Sequence, residues 1–194
     1  MIKAGAAAGL LSAAGPLFAA PRRTSPIDGD LLDRALQAME RNRTILGRTD
    51  VIAIVDYSRP SREERLFLVD MESGVVTGHH VAHGRGSDPA HTGYLEHFSN
   101  APGSAASSAG AYVTGDLYHG RYGRAMRLKG VSETNSNAQS RGIVVHSAPY
   151  AEPEVIDRMG KLGRSEGCFA LSELSLFLVL RQLGPGRLLY SGRS

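Results

Sequence analysis

The 194 residues are 42% hydrophobic and 21% charged, enough to bury one substantial core without a disulfide or a structural metal, so a single domain is expected. A formal charge of +3 with no Lys/Arg block of five or more gives no support for a nucleic-acid partner. One cysteine, Cys168, excludes an intramolecular disulfide and a Cys-rich zinc site.

Residues 1–20 read as an export signal: Lys3 supplies a positive start, Ala4 to Phe18 is apolar and small, and Ala19-Ala20 offers a cleavage point. The run is interrupted by Gly5, Gly9, Gly15 and Pro16 and is short for a membrane span, so no stable span is expected after cleavage. Residues 21–49 are expected to hold a Pro/Arg/Ser/Gly linker and then a helix. Leu31, Leu32, Ala35, Leu36 and Met39 share its apolar face, Asp30 caps the start and Gly47 suits the stop.

From residue 50 the pattern changes to short β-branched runs: Val51 to Val55, Arg65 to Met71 and Val75 to Val81. Ser99 to Gly110 is almost all Ser, Ala, Gly, Pro and Asn and reads as a surface loop. Strands are expected again at Ala111 to Thr114, Arg124 to Val131, Gly142 to Ser147 and Arg187 to Tyr190. Helices are expected at Glu152 to Met159 and at Ser172 to Leu183, the latter ending at Gly184-Pro185. The fold class is therefore mainly β, a β-rich α+β domain with one helix leading it and one near its C-terminus.

Two segments carry chemistry: Ile143-Val144-Val145-His146, a buried strand ending in histidine, and Gly163-Arg164-Ser165-Glu166-Gly167-Cys168-Phe169. A thiol attacks a carbonyl as thiolate, and an unperturbed pKa of about 8.5 leaves little of it at neutral pH, so a base is needed and His146 can be that base. Gly167 permits a tight turn that aims nearby N–H groups at one point, as an oxyanion hole requires, and a helix starting near Ser172 would add its dipole. Equally, a lone cysteine can be a small buried hydrophobe, and a His and a Cys in one sequence need not meet.

The same residues resemble the YkuD-type L,D-transpeptidase catalytic domain, in the branch with a Gly-Arg-Ser-x-Gly-Cys block, over residues 50–194. His146 and Ser165-Glu166-Gly167-Cys168 match the family's histidine and its Ser/Thr-His-Gly-Cys signature. Further matches are Val81-Ala82-His83-Gly84, Phe98-Ser99-Asn100, Gly103-Ser104, Ser107 to Tyr112, Asn137-Ala138 and Ser140-Arg141. The resemblance implies a β-sandwich of that family and a cysteine acyltransferase acting in the cell envelope or periplasm. Its partners would be peptidoglycan stem peptides as donor and acceptor, with no cofactor and no metal, and carbapenems would inhibit it.

In that mechanism Cys168 attacks the bond after a diaminopimelate-type residue and expels a D-amino acid, and an amine of another stem resolves the thioester. His146 is the base, and Gly167 with Cys168 donates to the oxyanion. Ser165 orients the loop, and Arg164, with Arg141 and Arg127 behind it, is a candidate for holding a stem carboxylate. Tyr112 with Ser107 and Ser108 borders the cleft or packs inside. His83 is read as a hydrogen-bonded interior histidine, and His79, His80 and His91 lack the carboxylate spacing of a metal site.

Glu166 and Ala170 depart from the wider family's histidine and asparagine, and the gap from His146 to Ser165 is slightly long. Two rival readings remain: hydrolysis of the same thioester, as an L,D-carboxypeptidase, and a non-catalytic wall-binding module. A papain-like peptidase places Cys before His, and a thiol oxidoreductase needs a second cysteine.

Overall fold

The computed structural model describes residues 26–121 and 123–194; the export segment and the first part of the linker expected after it lie outside these. Helix α1 spans Gly29–Arg41. Its cap is Asp28, whose carboxylate accepts from the Leu31 N–H at 3.1 Å, while Asp30 sits inside the first turn, where its charge still favours the helix N-terminus. The helix stops at Asn42, well before Gly47, because the Asn42 side chain donates to the Ala38 carbonyl at 2.8 Å.

Eight strands follow: β1 (Val51–Asp56), β2 (Leu66–Asp70), β3 (Val76–His79), β4 (Gly110–Gly120), β5 (Gly123–Gly130), β6 (Val144–Ser147), β7 (Phe169–Leu171) and β8 (Leu188–Gly192). Helix α2 (Pro153–Met159) lies between β6 and β7, and α3 (Glu173–Leu183) between β7 and β8. The strands form one mixed sheet in the order β3-β2-β1-β8-β4-β5-β6-β7, with β1–β8 and β6–β7 parallel.

Alternation along β1 explains the layers. Ile52 and Ile54 face Leu31, Ala35 and Ala38 of α1, whereas Ala53 and Val55 face Leu176, Val179 and Leu183 of α3. Both faces of β1 are covered, which is why it reads as a continuous apolar run. Leu66 and Leu68 of β2 share the second core with Phe169 of β7, with five strands between them in sheet order, so the sheet curls until its halves face each other. A bridge between Ala82, just past β3, and Ala170 of β7 brings the two edges together.

Other features also depart from the sequence reading, β4 running on to Gly120 past the expected Thr114. Strand β7 was not expected, since three residues are too few to show a period. It sets the start of α3 beyond Leu171, about 10 Å of strand from Cys168, so the helix dipole does not act directly on the thiol. The Ser99 to Gly110 segment is not a surface loop at its C-terminal end: Ala105, Ala106, Ser107 and Ser108 are buried.

Small side chains there serve close packing. A Cβ on Gly84 would lie 2.3 Å from the Ala105 carbonyl oxygen, and one on Gly167 would lie 2.6 Å from that of Ala106. Their backbones approach as closely as they do because no side chain stands between.

Candidate active site

Three segments meet at one end of β7. Ser165 accepts at its carbonyl from Arg85 N–H (2.7 Å) and donates its own N–H to the His83 carbonyl (2.8 Å), which fixes the motif loop against the chain leaving β3. The Ser107 hydroxyl accepts from Gly84 N–H at 3.0 Å, and Ser107 N–H donates to the Ser87 hydroxyl at 3.0 Å, so the small-residue segment is stitched in behind.

Within the motif, the Ser165 hydroxyl donates to the Cys168 carbonyl (2.7 Å) and accepts from Gly167 N–H (3.1 Å), closing a turn in which Gly167 adopts φ +110°. That conformation favours glycine. These bonds close the loop through the Ser165 side chain, and the Gly167 N–H donates to its hydroxyl, not outward as the expected oxyanion donor.

Register sets His146 on the strand next to the segment that carries Cys168. Strands β6 and β7 are parallel, with Val145 opposite Phe169 and His146 opposite Ala170. Val145 and Phe169 enter the main core, Ala170 packs in a separate cluster with Ala82 and Leu162, and Cys168, just before β7, is packed against the main core. The two candidate catalytic residues therefore stand on adjacent segments, His146 in β6 and Cys168 at the entry to β7.

The His146 Nδ1 lies 2.8 Å from the Ser147 carbonyl, which can only accept, so Nδ1 carries the proton and Nε2 the lone pair. Burial lowers the His146 pKa, keeping the imidazole neutral at pH 7. The Cys168 Sγ donates to the Gly142 carbonyl at 3.6 Å. Burial pushes the thiol pKa up and the Glu166 charge adds to this, against a backbone hydrogen bond and the Arg141 charge, which lower it. At neutral pH the thiol therefore rests protonated and the imidazole neutral.

The arginines are placed differently from expectation. Arg164 donates to the carbonyls of Asp88 and Pro89 (3.1 Å for the latter), and Arg141 to those of Ser99 (2.8 Å) and Ala106 (2.5 Å) and to the Ser108 hydroxyl (3.3 Å). Both guanidinium groups tie loops down instead of facing outward to a carboxylate. Because the Arg141 partners are uncharged, its charge is left to favour the Cys168 thiolate. Arg127 stacks on Tyr118 at 4.4 Å, away from the motif. Tyr112 is 0% exposed: its hydroxyl bonds Ser108 and its ring meets Phe169 edge-on at 5.4 Å, so it packs inside and does not border a cleft.

Behind the loop runs a buried polar chain that sequence reasoning caught only at His83. Arg65, wholly buried, donates to the Val81 carbonyl from Nε (2.9 Å) and Nη2 (2.7 Å) and to His83 Nδ1 (2.8 Å). His83 Nδ1 must then be the acceptor, and Nε2 donates to Asp88 at 3.2 Å. Asp88 also accepts from Thr92 N–H (2.7 Å) and Gly93 N–H (2.9 Å). Burial and the adjacent Arg65 charge depress the His83 pKa to about 4. Tyr57 lies under the Arg65 guanidinium at 4.9 Å and stacks on Phe169. An arginine opening an apolar strand normally reads as exposed, so only the His83-Gly84 match pointed here.

Residues 23–191 match the model of the L,D-transpeptidase catalytic domain. The chain belongs to that family. The match begins ahead of α1, so the leading helix falls within it.

Among solved structures, an L,D-transpeptidase from Mycobacterium smegmatis is 14% identical over 74% of this chain and 58% of its own, with a TM-score of 0.45. One from Xylanimonas cellulosilytica is 12% identical over 81% and 68%, with a TM-score of 0.44. L,D-transpeptidase 3 from Mycobacterium tuberculosis, solved with a faropenem-derived adduct, is 18% identical over 74% and 60%, with a TM-score of 0.43. The chain spans just under three fifths of the length of the first of these. No curated protein matches it. Among the described residues, no helix is long and apolar enough to cross a membrane.

Proposed function

We propose that this member of the family is a peptidoglycan L,D-transpeptidase of the cell envelope, exported by residues 1–20, with Cys168 as nucleophile and His146 as base. One observation supports the reading: the parallel β6–β7 register sets His146, whose Nδ1 bonds the Ser147 carbonyl, on the strand next to the segment that carries the chain's single thiol.

In the first half-reaction the Sγ proton passes to His146 Nε2 as sulfur bonds the carbonyl carbon after a diaminopimelate-type residue. The tetrahedral oxyanion is met by the Cys168 N–H, the Gly167 N–H being bonded to the Ser165 hydroxyl. The C–N bond then breaks, His146 returns the proton to the leaving amine, and a D-amino acid departs. In the second half a neutral amine of another stem attacks the thioester, the C–S bond breaks, and the amine proton returns to sulfur through His146. A carbapenem carbonyl is attacked in the same way.

The test is incubation of the protein with defined disaccharide tetrapeptide and tripeptide stems and mass spectrometry of the products. A crosslinked dimer with loss of one D-amino acid is the expected result. Trimmed monomer alone would make the enzyme an L,D-carboxypeptidase, and no acyl adduct on Cys168 would overturn the catalytic reading.

A further inference from the structure

Glu166 stands between Ser165 and Gly167, two residues from the thiol, and its charge acts on Cys168. Its carboxylate Oε1 is 2.6 Å from Nε of Arg85, on the segment whose backbone bridges to Ser165. Both side chains are largely exposed, 61% for Arg85 and 69% for Glu166. The other arginines at the site, Arg141 and Arg164, donate to backbone carbonyls of neighbouring loops. Arg85 differs from them. Its Nε donates to Glu166, two residues from the nucleophile, and its side chain is largely exposed.

An exposed ion pair of this kind contributes little net stability, since each charge keeps most of its hydration. It is therefore easily opened by a ligand that offers both charges. An α-amino acid centre is such a ligand: its carboxylate fits the flat edge of a guanidinium in a bidentate manner, and its ammonium fits a carboxylate. Insertion exchanges one ion pair for two, whereas an acceptor whose carboxyl is amidated would replace only half of what it breaks.

We infer that Arg85 and Glu166 form the acceptor-recognition pair of this enzyme, selecting an amine that belongs to a zwitterionic α-amino acid centre, with Arg85 on the carboxylate and Glu166 on the ammonium. The inference rests on the acyl-transfer reading above and adds the chemical class of the second substrate. A diaminopimelate side chain ends in such a centre, and so does a free D-amino acid. Glu166 gathers the amine within reach of the thioester as an ammonium, which must lose one proton to solvent before it attacks. The neutral amine then forms the N–C bond as the C–S bond breaks, and its second proton returns to sulfur through His146.

The experiment supplies one donor tetrapeptide stem with either D-alanine or D-alaninamide as acceptor and measures transfer product against hydrolysis product, with the Cys168 thioester read by intact-protein mass. Wild type is expected to use the acid at least about tenfold more efficiently than the amide, the difference that a charge-assisted bidentate contact supports. In Arg85→Ala that ratio should collapse towards one. In Glu166→Gln, transfer to both acceptors should fall and hydrolysis rise, with the acid-to-amide preference retained. Thermal unfolding of each variant excludes a folding defect.

A wild-type ratio near one, or a ratio unchanged in Arg85→Ala while the thioester forms, would overturn the inference and leave the transpeptidase reading standing. Failure of the wild type to form any thioester would remove both.

Discussion

Two histidines sit at comparable places, His83 just past β3 and His146 within β6, and both are buried. They differ in what faces the two ring nitrogens. His83 has both committed, Nδ1 accepting from Arg65 and Nε2 donating to Asp88, each partner charged and buried. His146 has Nδ1 bonded to a neutral carbonyl of its own strand, and in the proposed mechanism its Nε2 is the base. An imidazole bridging two buried charges is a strut, whereas one bonded to a neutral carbonyl carries no such charge pair.

Replacement should separate these roles by large margins. His146→Ala, like Cys168→Ala, is expected to lower transfer by at least about a thousandfold, the scale of losing a general base or a nucleophile, while the unfolding midpoint moves little. His83→Ala should show the opposite pattern, losing roughly 3–5 kcal/mol of stability because Arg65 and Asp88 are left buried without their bridge. Activity assays paired with denaturant unfolding measure both. A His83 variant of normal stability with no turnover would place His83 in the chemistry and break the comparison.

The backbone around the two histidines can be tested the same way. Gly84 follows His83, and a methyl there would press on the Ala105 carbonyl and on Gly167, at 2.3 and 2.8 Å. Neither neighbour is a flexible side-chain end, so one of the segments must move. Gly84→Ala is expected to cost on the order of 2–3 kcal/mol and to lower turnover by displacing the motif loop. Gly74→Ala, at a positive φ with open space around it, should have the smaller effect on stability and none on turnover.

Much of this arrangement was legible in the sequence, and the reasons are local. The apolar alternation of β1, the stripe of α1 and the Gly184-Pro185 stop of α3 are short-range signals with one physical reading each. Cys168 and His146 stood out because the thiol is alone and the histidine ends an apolar run. What was hidden depends on contacts made far along the chain. The Ala105 to Ser108 segment looks like a surface loop by composition, yet its small residues serve close backbone packing against Gly84 and Gly167. Arg164 and Arg141 have the chemistry to hold a carboxylate, but their donors meet loop carbonyls that no spacing rule foretells. Arg65 and Asp88 gave no signal, because a charged residue reads as exposed until a partner is seen.

The last expected effect concerns pH, and its sign follows from the depressed pKa of the strut. In the unfolded chain His83 titrates near 6.5, and in the folded chain burial and the Arg65 charge hold it near 4. Between those values the unfolded state binds more protons, so stability is full above about pH 6.5, falls as pH drops towards 4, and loses nothing further from this group below that. The loss is on the order of 2–3 kcal/mol. His79 and His146, whose pKa values burial also lowers, act in the same direction, so the total slope alone does not isolate His83. Denaturant unfolding of wild type and His83→Gln at pH 7, 5.5 and 4.5 does, because only the His83 share should vanish in the variant and the two curves should converge as pH falls. Parallel curves would mean that the Arg65–His83–Asp88 chain takes up a proton without loss of stability.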